Sequence, residues 1–354
     1  MSAPLLSLQA VGCHIPTRRG VVRAVDGVSL NLLHGEAVGL VGESGSGKST
    51  LGRIALRMQD PTSGRVILDG TDITELAGRR LRLMRREVQT VLQDPHAALN
   101  PRMTVRQLIA EPMVELGLVP RAEAGARVDQ LLARVHLPEG IGDRSARQLS
   151  GGQAQRVAIA RALGVQPKVL IADEPVSALD ASVAAQVVDL FAELKAALDL
   201  AILFISHDLS VVRQLCDQVA VMYHGRIVEF GPTAEVFARP LHPYTVALLS
   251  ATPSAQRQPG SRRLLLTGDP PDPVTVAAGC VFEPRCPLAG DLDPSRRLCR
   301  ERHPELMSRS TGHQAACHFP DETGLLIESA VSDADLPTMT QGGDSDDFHA
   351  LDRG

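Results

Sequence analysis

At 354 residues with 44% apolar side chains, the chain is long enough for one large core and an accessory unit, which excludes a mainly disordered protein. No window approaches the roughly 20 apolar residues of a membrane span, and the start MSAPLLSLQAVGC lacks a basic secretory leader, so a cytoplasmic protein is expected. The net charge of -5 is carried by residues 321–354, where nine acidic side chains face one arginine, leaving the remainder close to +3; this tail is expected to be disordered, and the scattered arginines, 33 against three lysines, predict no nucleic-acid partner.

Residues 1 to about 90 alternate short β-rich runs, AVDGVSLNLL, EAVGLVG and GRVILDG, with glycine turns, and a helix is predicted to begin at Lys48. Between the second run and that helix lies GESGSGKST. Gly42, Gly47, Lys48 and Ser49 fit G-x-x-x-x-G-K-[ST], in which glycines let successive backbone N–H groups wrap a polyphosphate at a helix N-terminus. The whole loop, Gly42, Glu43, Ser44, Gly45, Ser46, Gly47, Lys48, Ser49 and Thr50, is assigned to that polyphosphate, with Lys48 on the β and γ phosphates and the Ser49 hydroxyl on Mg²⁺. A glycine-serine turn would share this composition, but a strand before it and a helix after it are what the phosphate site requires.

From about 95 to 165 the pattern turns helical: RMTVRQLIAEPMVELGL, RAEAGARVDQLLARVHL and SGGQAQRVAIARALG space apolar residues by three and four. Strands return in KVLIAD and AILFIS, joined by the helical ASVAAQVVDLFAELKAAL, and VAVMYHGRIVEFG reads as a hairpin turning at His224-Gly225. After Pro240 the periodicity fades. The reading is therefore a nucleotide-binding unit over 1–240, a smaller second domain over 241–320 and the acidic tail.

In VLIADEP an apolar strand delivers Asp173 and Glu174 to its end, where Asp173 would hold the Mg²⁺ shell and Glu174 would polarise a water attacking the γ-phosphate. LSGGQAQR opens a helix with Ser150 as N-cap and two glycines that expose N–H groups, a second anion-binding helix end in the same chain. One chain cannot easily bring both ends onto one phosphate.

These pieces, together with Gln93 in VLQDP, SALD at 177–180 and His207 in ISHD, stand in the order of the ATP-binding subunits of ABC transporters, and the chain resembles that family over residues 5 to about 320. The resemblance implies an α/β P-loop NTPase core, an all-helical subdomain over about 95–165 and a small C-terminal accessory domain, acting on ATP with Mg²⁺. It also implies that Gln93 touches Mg²⁺ or water, that His207 contacts the γ-phosphate and orients Glu174, and that Ser150, Gly151, Gly152 and Gln153 serve the site of the opposite subunit, with Asp180 at the seam. Two positions depart from the family. Ala154 stands where a polar residue is common, and Arg19 stands near where an aromatic residue often stacks on adenine, so the adenine contact stays unassigned.

Within the family, QDPHAALNPRMTV, DEPVSALDASVAAQVVDLF, HPYTVALLSATP, GCVFEPRCP and ACH look like the importers of di- and oligopeptides, including relatives that carry nickel. This implies a second, different ATPase subunit at the cytoplasmic face of the inner membrane, two transmembrane permease subunits and an extracytoplasmic binding protein. Nickel or another small solute is the alternative cargo, and a soluble non-transport ABC switch the alternative class. Gln93 and Ser150 are only 57 positions apart, which leaves no long coiled-coil insertion, and the C-terminal region argues against export.

Four of the six cysteines, Cys280, Cys286, Cys299 and Cys317, follow C-x5-C-x12-C-x17-C. Cytosolic disulfides are not expected, and no C-x-x-C pair supports a zinc ribbon. Cys286-Pro287 is similar to the Cys-Pro of some ferredoxins, and some importer ATPases of this type resemble it in carrying an iron–sulfur cluster. A [4Fe-4S] cluster, a Zn²⁺ site and metal-free packing cysteines stay open, while Cys13 and Cys216 are expected in the core. Because Lys48 and Glu174 lie far along the chain, a change at Cys286 is expected to leave ATP binding intact.

Overall fold

The computed structural model describes residues 3–251, 264, 266, 268, 271–274, 277–289, 296–310, 312–324 and 326. β1 (Leu6–Thr17) and β2 (Gly20–Leu32) form a long hairpin, β3 (Ala37–Val41) leads into α1 (Lys48–Ala55), and β4 (Ser63–Leu68) and β5 (Thr71–Asp72) precede α2 (Gly78–Glu87). β6 (Val88–Val91) is followed by α3 (Pro95–Ala98), α4 (Val105–Glu115), α5 (Ala124–Arg134) and α6 (Gly151–Gly164). Then come β7 (Val169–Asp173), α7 (Ala181–Leu198), β8 (Ala201–Ile205), α8 (Leu209–Leu215), β9 (Gln218–Tyr223) and β10 (Arg226–Pro232). α9 (Thr233–Ala238), α10 (Pro243–Ala251), α11 (Arg297–Glu301), β11 (Met307–Ser310) and β12 (His313–Ala315) complete the described elements.

Two sheets carry these elements. The smaller is antiparallel, in the order β2-β1-β4-β5; the larger runs β11-β12-β10-β9-β3-β8-β7-β6, with β9, β3, β8, β7 and β6 parallel. AVGLV in β3 and AILFI in β8 are buried at every position, as strands covered on both faces must be. α7 covers one face with Val187, Val188, Leu190, Phe191 and Leu194, and Phe191 meets Phe204 edge-on at 5.6 Å. On the other face Leu51 and Ile54 of α1 pack with Leu40, Leu203 and Ile205. The result is a switch region at the C-terminal ends of the parallel strands, where ligands of such sheets bind.

Between β6 and β7 the described segments are helices and turns. α4 starts at Thr104, whose hydroxyl accepts from the Gln107 N–H while the Gln107 side chain accepts from the Thr104 N–H, and α6 starts with the same reciprocal cap at Ser150 and Gln153. The β9–β10 hairpin turns at His224 (φ 48°) and Gly225 (φ 81°), the left-handed pair a two-residue turn demands.

Among the described residues after Pro240, the strands join the core sheet. β12 pairs with β10 (Glu229 with Ala315, Phe230 with Gln314) and β11 with β12, so the C-terminal hairpin widens the core sheet. Its bolt is Glu229, fully buried: the carboxylate accepts the N–H groups of Leu241 (2.7 Å) and His242 (3.0 Å), and His313 Nε2 lies 2.8 Å away. The acidic tail also begins later than its charge predicts. Thr323 is buried with its hydroxyl on the Pro240 carbonyl at 2.8 Å, and Glu322 is paired with Arg296, so local partners hold residues that composition alone would leave in solvent. Residues 325 and 327–354, to which the expectation of disorder applies, lie outside the described residues. Among the described residues no helix is long and apolar enough to cross a membrane.

Candidate active site

The turn from β3 into α1 builds an anion cradle. Gly47, just before the helix, has φ 106°, and a Cβ there would run into the Ala24 carbonyl, so both dihedral and space require glycine. Lys48 is buried, and its ammonium donates to the carbonyls of Gly42 (2.7 Å) and Glu43 (2.8 Å). Burial lowers its pKa, and the carboxylates of Glu174, Asp173 and Glu43 push it back up. The Ser49 hydroxyl donates to Asp173 Oδ1 at 3.0 Å, which joins the two residue types that hold Mg²⁺ in phosphate-loop enzymes.

A cleft of about 450 Å³ opens over this loop. One wall is Ser44, Gly45, Gly47, Lys48, Ser49 and Thr50; the other is Gln93, Glu174 and His207. Gly42, Glu43 and Ser46 do not line it. Ser46 is buried beneath the loop, and the Glu43 N–H points away, onto the Tyr244 hydroxyl at 2.7 Å.

Glu174 follows β7 in the left-handed region (φ 52°), which costs a residue with a Cβ about 1–2 kcal/mol. It is held there by its N–H on the Ile205 carbonyl (3.0 Å) and its carbonyl under the Ser177 hydroxyl (3.0 Å). The kink leaves its carboxylate only 15% exposed and 2.7 Å from His207 Nδ1. Gln93 is exposed at the exit of β6. One residue before it, the Leu92 carbonyl accepts from buried Gln155 of α6 at 3.4 Å.

Ser150, Gly151, Gly152 and Gln153 do not reach this cleft. Ser150 and Gln153 are engaged in capping α6. Gly152 has a packing reason as well: a Cβ there would strike Val183 Cγ1 at the start of α7. Asp180 caps α7, accepting from Val183 N–H (3.0 Å) and the Ser182 hydroxyl (2.8 Å), and these bonds lower its pKa. Ala154, the departure from the family pattern, is fully buried, so its small size serves the core.

Arg19 is not part of the cleft. Its side chain pairs with Asp272 at 3.0 Å. Val22, Arg23, His224 and Pro273 line the cleft instead, with the Arg23 N–H on the Pro273 carbonyl at 3.3 Å. Among the described residues, His224 Nε2 is buried without a hydrogen-bond partner. None of these four carried a local motif; only the His224-Gly225 turn signal pointed to a close backbone approach.

Cys280, Cys286, Cys299 and Cys317 line one narrow cavity with His242, Phe282 and Arg296. Burial pushes the thiols up, Cys280 and Cys317 to about 12 and Cys286 to about 11, with Cys299 raised as well. Among the described residues no three His, Cys, Asp or Glu side chains gather closely enough to hold one metal ion. A Zn²⁺ site would need its ligands to converge on a single centre at roughly 2.0–2.3 Å. Cys13 and Cys216 are buried in the core.

Residues 25–177 match the family described as ABC transporter, and residues 228–292 match the oligopeptide/dipeptide transporter C-terminal region. The oligopeptide transport ATP-binding protein AppF of Bacillus subtilis is 44% identical over 325 residues, covering 89% of this chain and 97% of AppF. Among solved structures, cbiO1 from Clostridium perfringens, part of the ABC transporter complex cbiONQ, aligns with TM-score 0.60 at 33% identity over 67% of this chain and 92% of that one. The cassette MJ0796, solved as a dimer in a post-hydrolysis state with ADP and Pi, aligns with TM-score 0.59 at 29% identity over 64% and 98%.

Proposed function

This chain belongs to the ABC transporter ATP-binding family, in the branch with the oligopeptide/dipeptide C-terminal region, and we propose that it hydrolyses ATP to energise import of di- or oligopeptides. The observation that carries this reading is the convergence on one cleft of Lys48, Ser49 and the Glu174–His207 pair, with Asp173 bonded to Ser49 at 3.0 Å. Lys48 and the N–H groups at the start of α1 would bind the β and γ phosphates. Glu174 takes the proton of the attacking water, and His207 holds the carboxylate in its orientation. Ser49, Asp173 and Gln93 would hold Mg²⁺, which supplies charge to the phosphoryl oxygens.

The cleft is half a site. Ser150 and the glycines after it stand apart from it, so the signature of a second ATPase subunit closes over the nucleotide, and the MJ0796 cassette is itself dimeric. Closing on ATP and opening after hydrolysis would move the helical region through Gln93 and the Gln155–Leu92 contact toward two permease subunits, with a binding protein delivering peptide on the far side. The chain would thus sit peripherally on the cytoplasmic face of the membrane. Co-expression with the permease subunits and reconstitution into vesicles tests this: peptide-stimulated ATP hydrolysis with peptide uptake is expected, and uptake of nickel without peptide would reassign the cargo.

The same reading extends to the cysteines. A [4Fe-4S] cluster gives each thiolate its own iron, so its four ligands border a cavity rather than meet at one ion, and four half-buried thiols around one cavity fit that donor set. Cys280, Cys286, Cys299 and Cys317 would hold it as a cross-link within the C-terminal region.

A further inference from the structure

The phosphate loop is gripped from outside the ATPase core. Arg285, 242 positions away, meets the Glu43 carboxylate fork to fork, Nη1 to Oε2 at 2.9 Å and Nη2 to Oε1 at 3.2 Å. Its side chain is 8% exposed. The guanidinium also reaches the Tyr223 hydroxyl at 3.4 Å, and Tyr223 packs on Tyr244 (4.7 Å) and Phe282 (5.2 Å). Tyr244 receives the Glu43 N–H. Both polar groups of Glu43 that could drift with the loop, side chain and N–H, are thus fixed by residues after Pro240. The third, its carbonyl, accepts from Lys48.

We propose that Arg285 and Tyr244 are positioning residues of the ATP site: by fixing Glu43 they hold the cradle and the Lys48 tether in binding geometry before nucleotide arrives. A glycine-rich loop loses backbone entropy on closing around phosphate, and an external bidentate clamp removes much of that cost in advance. Arg285 directly precedes Cys286, and the Cys286 N–H closes the turn on the Glu283 carbonyl, so order in the cysteine-bearing segment reaches the phosphate loop through Arg285 and, through Phe282 at 5.5 Å from Tyr244, by a second route. This rests on the reading of the loop as the ATP site.

The test is a set of ATP dissociation constants on the full chain, read with a fluorescent nucleotide beside thermal melting. R285M and E43Q are each expected to weaken ATP binding about tenfold, and the double variant no more than the weaker single, because both remove one contact. Y244F, which keeps volume, is expected to weaken it by a smaller factor, and R285K to recover only part, since lysine lacks the fork. C286S is expected to weaken ATP binding more in the parent than in R285M, and an equal loss in both would remove Arg285 from the link. A merely structural role would lower the melting temperature of R285M and leave its ATP affinity within about twofold of the parent; that result, or fully additive losses in E43Q/R285M, overturns the proposal. Should R285M fail to fold, E43Q and Y244F decide by the same limits. A parent chain that binds no ATP would instead overturn the reading of the loop itself.

Discussion

His207 Nδ1 stands 2.7 Å from Glu174 Oε2, although Glu174 occupies a left-handed backbone conformation and His207 is well exposed. A carboxylate can only accept, so Nδ1 carries the proton and the second ring nitrogen faces away from Glu174. One carboxylate oxygen is thereby occupied and oriented, and the other is left to meet a water over the phosphate cradle. The backbone kink and the histidine serve the same end: they aim one oxygen.

Glu174→Gln keeps shape and removes the proton acceptor. ATP hydrolysis is expected to fall by roughly 10² to 10⁴ while ATP binding stays, and ATP is expected to trap a closed dimer visible by size-exclusion chromatography. Turnover within about twofold of the parent would remove Glu174 from the proposed role.

Ser150→Arg is expected to abolish hydrolysis and leave nucleotide binding by the isolated chain close to the parent's. The arginine would fill the start of α6, which lies outside this chain's own cleft, and so would meet only the nucleotide of the opposing subunit. Loss of ATP binding in the monomer would count against a two-subunit site.

Gly152→Ala tests a different requirement at the same motif. The new methyl would press on Val183, a short β-branched side chain with little room to turn away, at a cost of about 1–3 kcal/mol. A lower melting temperature is expected, and G152A/V183A is expected to regain most of it. No change in the single variant would show that the glycine answers to nucleotide contact alone.

Glu229→Ala is expected to loosen the C-terminal hairpin from β10. It strips two backbone N–H groups and His313 of a fully buried partner, a loss of about 3–5 kcal/mol. Protease cleavage between 300 and 320 should then precede unfolding of the core, and a parent-like digestion pattern would mean that other contacts carry the hairpin.

The cradle, Asp173, Glu174, Gln93, His207 and the Ser150 cap of α6 were legible as local geometry because each lies in a short motif at the end of a regular element. What escaped lies between segments. Arg23, His224 and Pro273 line the cleft from three distant stretches, and the Glu43–Arg285 pair spans most of the chain, so beyond the His224-Gly225 turn no period or turn signal marks them. β11, MSRS, is four exposed residues, three of them polar, and carries no strand alternation, so its pairing at the edge of the core sheet left no mark in the sequence. Distance along the chain also hides contact: Cys286 neighbours the Arg285 side chain that meets Glu43 of the phosphate loop.

Anaerobic purification decides what the four cysteines hold. The proposed cluster makes the protein brown, with broad visible absorbance and about four iron atoms per chain. Cys286→Ser is expected to bleach it and to lower protection of residues 277–324 against hydrogen exchange, since a cross-link among four thiolates replaces a core this segment barely has. Iron removal by a chelator should reproduce the loss of protection without any substitution, which separates the cluster's contribution from that of the serine. One zinc and no iron per chain would instead require the four thiols to close on a single ion, a rearrangement of the cavity. Neither metal in anaerobic preparations would leave the cysteines as buried packing groups, kept protonated by the burial that raises their pKa values.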